Sequence, residues 1–472
     1  MKKERTRKTN SQITEGSIKA SFWRLSLPLV AGAFLHNLFN LVDLFFIGKL
    51  GSVALAALSI AGVILAMIIM VALGISPGTT ALIAHYIGKR DYQKADNVLI
   101  QAILLSVICS VLMLVIAMFW MEPILKIVGA TPEVVPYAEE YLRIAFSFSF
   151  FIFLFFAFNQ ALRGSGDTLT PLKALIFANI LNIALDPLLI FGIGPFPRLE
   201  VAGSALATVI SRGVGLLFLL KHFISGYSSL HLSRKSFYLN LSVLIRMIKI
   251  GFFSSLEVLM RQVSLLFLIK IISLFGTTAL AAYGIVVRLR LFIIMFGIST
   301  GIAASILIGQ NMGSNKPKRA HQAGWQAVKY YQMLVVPIAV LFFIFSTQII
   351  AIFTKDKEII SSASIFLKFI SISLPFLTPA LVLGKGITGA GDTIAPATMT
   401  GIFQLLWRIP VAYILANLFA LKVIGVYLAI STSDLLHGLT MGIYFQQGSW
   451  QKRYYKHRKI LDAENEPING SL

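Results

Sequence analysis

Charge is scarce in this sequence, acid most of all. Of 472 residues 13% are charged, 20 of them acidic against 41 basic, while 57% are hydrophobic and the mean hydropathy is +0.81. Soluble globular chains carry about 45–50% apolar and roughly 25% charged residues, so the composition excludes a disordered or collagen-like chain and argues against a water-soluble enzyme. The single cysteine, Cys109, permits no internal disulfide. No G-x-x-x-x-G-K-[S/T] phosphate loop occurs, and the polar loops are too short for a nucleotide-binding domain, which argues against a primary pump. The absence of H-E-x-x-H argues against a zinc-dependent intramembrane hydrolase, and that of Thr-Val-Gly-Tyr-Gly against a potassium channel. The chain is expected not to be an enzyme and to need no cofactor.

Long apolar runs are what the sequence has in abundance. Crossing a bilayer takes about 20 mostly apolar residues, because every backbone polar group must be paired inside hydrocarbon. Twelve such stretches are predicted, at 22–48, 54–85, 96–120, 137–162, 170–193, 203–222, 242–272, 279–311, 321–353, 361–390, 395–417 and 421–446. The first is too long for a cleavable signal peptide and carries Asp43 near its end. Of the 41 basic residues, 27 fall in the two tails and the even-numbered loops, Lys385 among them; seven fall in the odd-numbered loops and seven within spans. That asymmetry predicts a multi-pass protein of the plasma membrane with both termini cytoplasmic. The excess of 21 positive charges is then a topology signal and an affinity for anionic lipid, with no nucleic-acid partner expected.

The sequence also reads itself twice. Gly51-Ser-Val-Ala-Leu-Ala-Ala57 returns as Gly276-Thr-Thr-Ala-Leu-Ala-Ala282, and Gly164-Ser-Gly-Asp-Thr168 as Gly389-Ala-Gly-Asp-Thr393, both 225 residues later. Pro171 and Pro396 follow in step, and Gly88 and Ala95 pair with Gly313 and Ala320 at the same spacing. Six spans per repeat give both halves one orientation, hence an all-α protein of twelve transmembrane helices in two six-helix lobes related by a pseudo-two-fold axis. The expected divisions are a cytoplasmic N-terminal tail at 1–21, an N-lobe at 22–222, a cytoplasmic linker at 223–241, a C-lobe at 242–446 and a basic cytoplasmic tail at 447–472. Asp167 and Asp392 are expected to cap the helices that follow their glycine turns.

Charged groups at membrane depth cost several kcal/mol, so each marks a candidate function. His36, Asn40 and Asp43 are spaced four and three and share a face of the first span; Asn179, Asn182 and Asp186 form a stripe on the fifth. Pro187 predicts a kink beside Asp186. Two carboxylates with amide oxygens suit a hard cation such as Na⁺, or a carboxyl that takes up a proton. Polar packing between helices is the bland alternative, strongest for Asn179 and His36. The repeat equivalents of Asp43, Asn182 and Asp186 are Leu268, Trp407 and Val411, so the acid cluster exists once. In its place the second half has Glu257 and Arg261 at i and i+4, read as an ion pair or as part of a substrate cavity, and Asp434 with His437 at i and i+3, read as a structural pair. Arg408 requires a partner that spacing does not identify.

Taken together, Asn40-Leu-Val-Asp43 with Gly48, the segment Gly51 to Ala57, Arg163-Gly-Ser-Gly-Asp-Thr168, Asn182 with Asp186, Gly425-Val-Tyr-Leu and Ile-Ser-Thr-Ser-Asp434 resemble multidrug and toxic compound extrusion (MATE) transporters. The likeness covers about residues 15–445. It implies two six-helix lobes around a V-shaped cavity and export of cationic and amphipathic compounds in exchange for H⁺ or Na⁺. By position, Asp43, Asn182, Asp186 and Thr208 match the family's N-lobe cation site, where they would hold a Na⁺ if that is the coupling ion. Tyr141 and Asn159 match residues that line it. Arg261 stands where NorM-type members carry an acid, no acid occurs in the tenth span, and Thr388 replaces an arginine common before the second Gly-Ala-Gly-Asp-Thr. The resemblance is therefore to the DinF-like branch, with coupling in the N-lobe. The expected protein is a functional monomer in contact with membrane lipids and drug-like substrates, antiporting by alternating access. A flippase for lipid or lipid-linked oligosaccharide is the rival, carried by Arg143, Arg212, Arg261, Arg288 and Arg408.

Overall fold

The computed structural model describes residues 13–232 and 236–455, apart from the side chains of residue 40 and of residues 66–75. Among the described residues the chain is helical throughout, with no strand. The spanning helices are α1 (Ile18–Gly48), α2 (Ser52–Gly88), α3 (Tyr92–Phe119), α4 (Val135–Ser147 and Ser149–Gly164), α5 (Leu169–Phe191), α6 (Glu200–Ile224), α7 (Leu241–Ser273), α8 (Thr277–Gly313), α9 (Pro317–Ile344), α10 (Lys357–Gly389), α11 (Ile394–Leu418) and α12 (Lys422–Gln446). Nine of these are long and apolar enough to cross a membrane, and ten once the halves of α4, bent by 51°, are counted together. The two others are special cases: α7 carries Arg246, Lys249, Glu257, Arg261 and Lys270, and α2 includes side chains outside the description.

Several ends differ from the sequence reading. The fourth span is broken at Phe148, and the ninth stops at Ile344, leaving Ser346–Ala351 as a separate short helix. Helix α5 runs on through Pro187 without a break, although proline supplies no N–H to the Ile183 carbonyl. Helix α11 is α-helical only in part: Gly401–Trp407 and Ile414–Leu418 are π-helical, on either side of Arg408–Tyr413. Such insertions often coincide with function.

Two compact units make up the chain. The first takes Trp23–Phe252; the second takes Ser17–Phe22 and the residues from Phe253 on, so the division falls within α7. In the first unit, Leu99, Ala102, Phe155, Phe158, Ala161 and Leu219 form a core between α3, α4 and α6. In the second, α10 packs on α8, α9 and α12, and Phe366 is stacked between Tyr283 and Tyr427 at 5.6 and 4.1 Å. Outward-facing side chains of α3 include Ile108, Val111, Leu112 and Met118, a strip that suits lipid rather than water.

The duplicated motif does the same work in both units. Gly166 (φ 93°) and Gly391 (φ 85°) turn the chain in the left-handed region that glycine tolerates. One residue on, Asp167 accepts from the backbone N–H of Thr170 at 2.9 Å and Asp392 from that of Ala395 at 3.3 Å, capping α5 and α11 as expected. Just before the turn the helices touch. A Cβ on Gly164 would stand 2.8 Å from the carbonyl oxygen of Thr80, and one on Gly389 would run into the backbone of Ser305. Thr80 and Ser305 are themselves 225 residues apart.

Candidate functional site

In the first unit four helices supply the candidate ion site. Helix α1 lies along α5: the Asn179 amide donates to the carbonyl of Leu35 at 3.1 Å, tying the two near the middle of each helix. Asp43 on α1 and Asp186 on α5 are 8% and 0% exposed and lie side chain to side chain, close enough to share a hydrogen bond. Two carboxyls can share such a bond only with a proton between them; with both ionised, a cation must sit there instead. Asn182, one turn before Asp186 and fully buried, donates to its Oδ1 at 3.4 Å. Tyr141, on the first half of α4, lies within Coulombic reach of both acids.

Several oxygens of this region are buried without a hydrogen-bond partner among the described residues: Asp43 Oδ1, Asp186 Oδ2 and Asn182 Oδ1, with Ser204 Oγ and Thr208 Oγ1 on α6, which packs against α5. That is the donor chemistry a hard cation takes. No group of three or more His, Cys, Asp or Glu side chains gathers among the described residues.

Not every expected member joins the acids. The Asn159 amide bonds back to the Phe155 carbonyl of its own helix at 2.6 Å. His36 lies within Coulombic reach of Arg163 and Arg212. The side chain of Asn40 lies outside the described residues. Arg212, read from the sequence only as support for a flippase, belongs instead beside the acids. It is buried, its guanidinium sits 4.8 Å from the ring of Phe39 and 5.4 Å from that of Phe155, and it acts electrostatically on Asp43. Only its membrane depth signalled it.

The second unit holds a different set. Glu257 is bonded to Arg261, as the i, i+4 spacing predicts, and also to Lys385 of α10 at 3.1 Å. Lys385 is therefore an ion-pair partner on a helix, not a loop charge: it lies inside α10, four residues before that helix ends. Asp434 is the partner of Arg408, at 2.7 Å, and of Arg290 on α8, also at 2.7 Å. Arg408 adds bonds to Ser433 (3.1 Å) and Gln404 (3.4 Å). The expected Asp434–His437 pair is not formed, because the carboxylate is taken by the two arginines. His437 instead stacks on Phe403.

This scaffold and its charges coincide with known proteins. The MatE family profile matches twice, over residues 28–188 and 254–414, one match per unit in large part. The chain is 28% identical over 451 residues to the probable multidrug resistance protein YoeA of Bacillus subtilis, covering 93% of this chain and 97% of that one. It is 29% identical over 417 residues to the multidrug export protein MepA of Staphylococcus haemolyticus, with coverage of 86% and 89%. A MATE protein crystallised in a bent conformation superposes with a TM-score of 0.87 over 94% of this chain and 99% of that one, at 24% identity. The chain is thus a multi-pass membrane transporter of the multidrug efflux class. It belongs to the MatE family. Nothing in these likenesses supports the lipid flippase.

Proposed function

We propose that the protein is a secondary antiporter of the plasma membrane, both termini cytoplasmic, that exports cationic and amphipathic drug-like compounds in exchange for H⁺ or Na⁺. The reading takes the transporter to work as a monomer surrounded by lipid, with its lobes at 22–222 and 242–446 and the linker at 223–241, and with coupling in the N-lobe, as in the DinF-like branch. The observation that carries it is the Asp43–Asp186 pair with Asn182 beside it, buried in hydrocarbon and present in one repeat only. A duplicated scaffold has no structural need for such a pair, since the other half does without it.

The coupling ion binds between the two carboxylates, with Asn182 and Thr208 completing the oxygen set for Na⁺, or one carboxyl takes the proton. The occupied site draws α1 towards α5 below Pro28 and favours one access state; drug binding favours the other. The ion can shift that equilibrium only by its differential affinity for the two states. Tyr141 and Asn179 hold the surrounding network, and Asn159 and His36 are assigned to the cavity wall, with Asn40 assigned there by its spacing in the sequence alone.

The test is ethidium flux in liposomes under an imposed Na⁺ gradient and then a proton gradient. Flux driven by one gradient and lost in Asp43→Asn and Asp186→Asn is the expected result. Wild-type flux in both variants, correctly inserted, would end the proposal.

A further inference from the structure

The second unit places four cations around two acids inside the membrane. Lys385, Arg261, Arg290 and Arg408 surround Glu257 and Asp434, a surplus of two positive charges. The two ion-pair groups form one cluster: His437 lies within Coulombic reach of Glu257, Arg261 and Arg408, and Arg408 within reach of Arg261. An uncompensated charge in hydrocarbon costs several kcal/mol, so a surplus of two calls for a counter-charge.

Donors and acceptors are unbalanced in the same sense. The Glu257 carboxylate accepts from Arg261 and Lys385, and that of Asp434 from Arg290 and Arg408, with the Ser373 hydroxyl at 3.5 Å. Donors remain over. Arg261 Nε and Arg290 Nε are buried without a hydrogen-bond partner, and so are both ring nitrogens of His437, a side chain only 1% exposed. Accessibility runs the same way: the acid side chains are 0% and 5% exposed, whereas those of Lys385 and Arg261 are 20% and 22% exposed. Arg290 and Arg408, at 11% and 7%, are buried more deeply beside Asp434. π-Helical turns of α11, of the kind that often mark functional sites, lie on both sides of Arg408.

We propose that this cluster is a binding site for an anionic group, a carboxylate, sulfonate or phosphate, received by Arg261, Lys385, Arg290 and His437. Guanidinium forks bind such oxyanions through paired N–H bonds. The site deepens the transport reading, on which its physiological role rests: the exported compounds would include anionic and zwitterionic amphiphiles, with the acid end held in the second unit. Occupancy itself is measured without transport.

The probe is fluorescein, an aromatic dianion, followed by fluorescence anisotropy with the full protein in phosphatidylcholine nanodiscs. Arg261→Gln and Arg290→Gln are chosen because each leaves its acid paired, Glu257 with Lys385 and Asp434 with Arg408. A thermal midpoint near wild type confirms that each has folded. Loss of one charge-assisted bond is expected to weaken fluorescein binding about tenfold in each variant, while ethidium binding is not weakened. No fluorescein binding, or equal binding by wild type and both variants, overturns the site. Repeating the titration with phosphatidylglycerol in the disc separates the sources: weaker dye binding assigns the anion to a lipid headgroup, unchanged binding to a dissolved compound, and either result upholds the site. Fluorescein binding with no gradient-driven ethidium flux would break the antiporter reading and leave the anion site standing.

Discussion

The two units carry opposite electrostatics on one duplicated frame. In the first, the membrane-embedded acids Asp43 and Asp186 face each other and leave carboxylate and amide oxygens unpartnered. In the second, the acids Glu257 and Asp434 are each held by two cations, and among the charged groups around them guanidinium and imidazole nitrogens lack partners. The turn, cap and close helix approach around Gly164 and Gly389 match between the repeats, so the scaffold has been kept while the chemistry it displays has been exchanged. An acceptor-rich site invites a cation; a donor-rich site invites an anion. A carrier that binds ion and cargo in different units needs that asymmetry.

The largest expected stability effect lies where charges are most deeply paired. Arg408→Ala would strand the fully buried Asp434 with a single arginine and leave Ser433 and Gln404 short of a partner, at a cost of about 3–5 kcal/mol. Asp43→Asn should cost far less, since an amide can replace one partner of a carboxyl pair. Thermal unfolding in detergent compares the two, and equal losses would show that the units do not differ as described. Next in size are the close helix approaches. Gly389→Ala forces a Cβ into the Ser305 backbone and should lose about 1–3 kcal/mol. Gly164→Ala, with more room, should lose less, and the reverse order in the same assay would refute the geometry. The smallest effect is at the caps. Asp167→Ala should cost about 1 kcal/mol. Asp392→Ala should cost more, because Asp392 also accepts from Tyr444 at 2.6 Å and pairs with Arg453 at 3.3 Å.

What could be read from the sequence was what local pattern encodes. Apolar runs gave the spans, equal spacing gave the repeat, and a glycine followed by Asp gave both caps. The i, i+4 spacing of Asn182 with Asp186 and of Glu257 with Arg261 gave pairs that do form. Illegible were pairings between distant helices. Lys385 reaches Glu257 across 128 residues and Arg290 reaches Asp434 across 144, and no periodicity carries that information. Asp434 and His437 show the converse. Their spacing suggests a bond, but two arginines outcompete a neutral imidazole for the carboxylate. The π-helical turns of α11 escaped for another reason, since residues 401–407 read as ordinary apolar helix.

The central claim is that the coupling ion is bound by the acids of the first unit and by no acid of the second. The most direct test adds ethidium to purified protein in detergent and measures the ion released, protons in weak buffer or Na⁺ by a selective indicator. The account predicts release from wild type and from Glu257→Gln, and none from Asp43→Asn or Asp186→Asn. Release that persists in both aspartate variants, or that vanishes in Glu257→Gln alone, would contradict it.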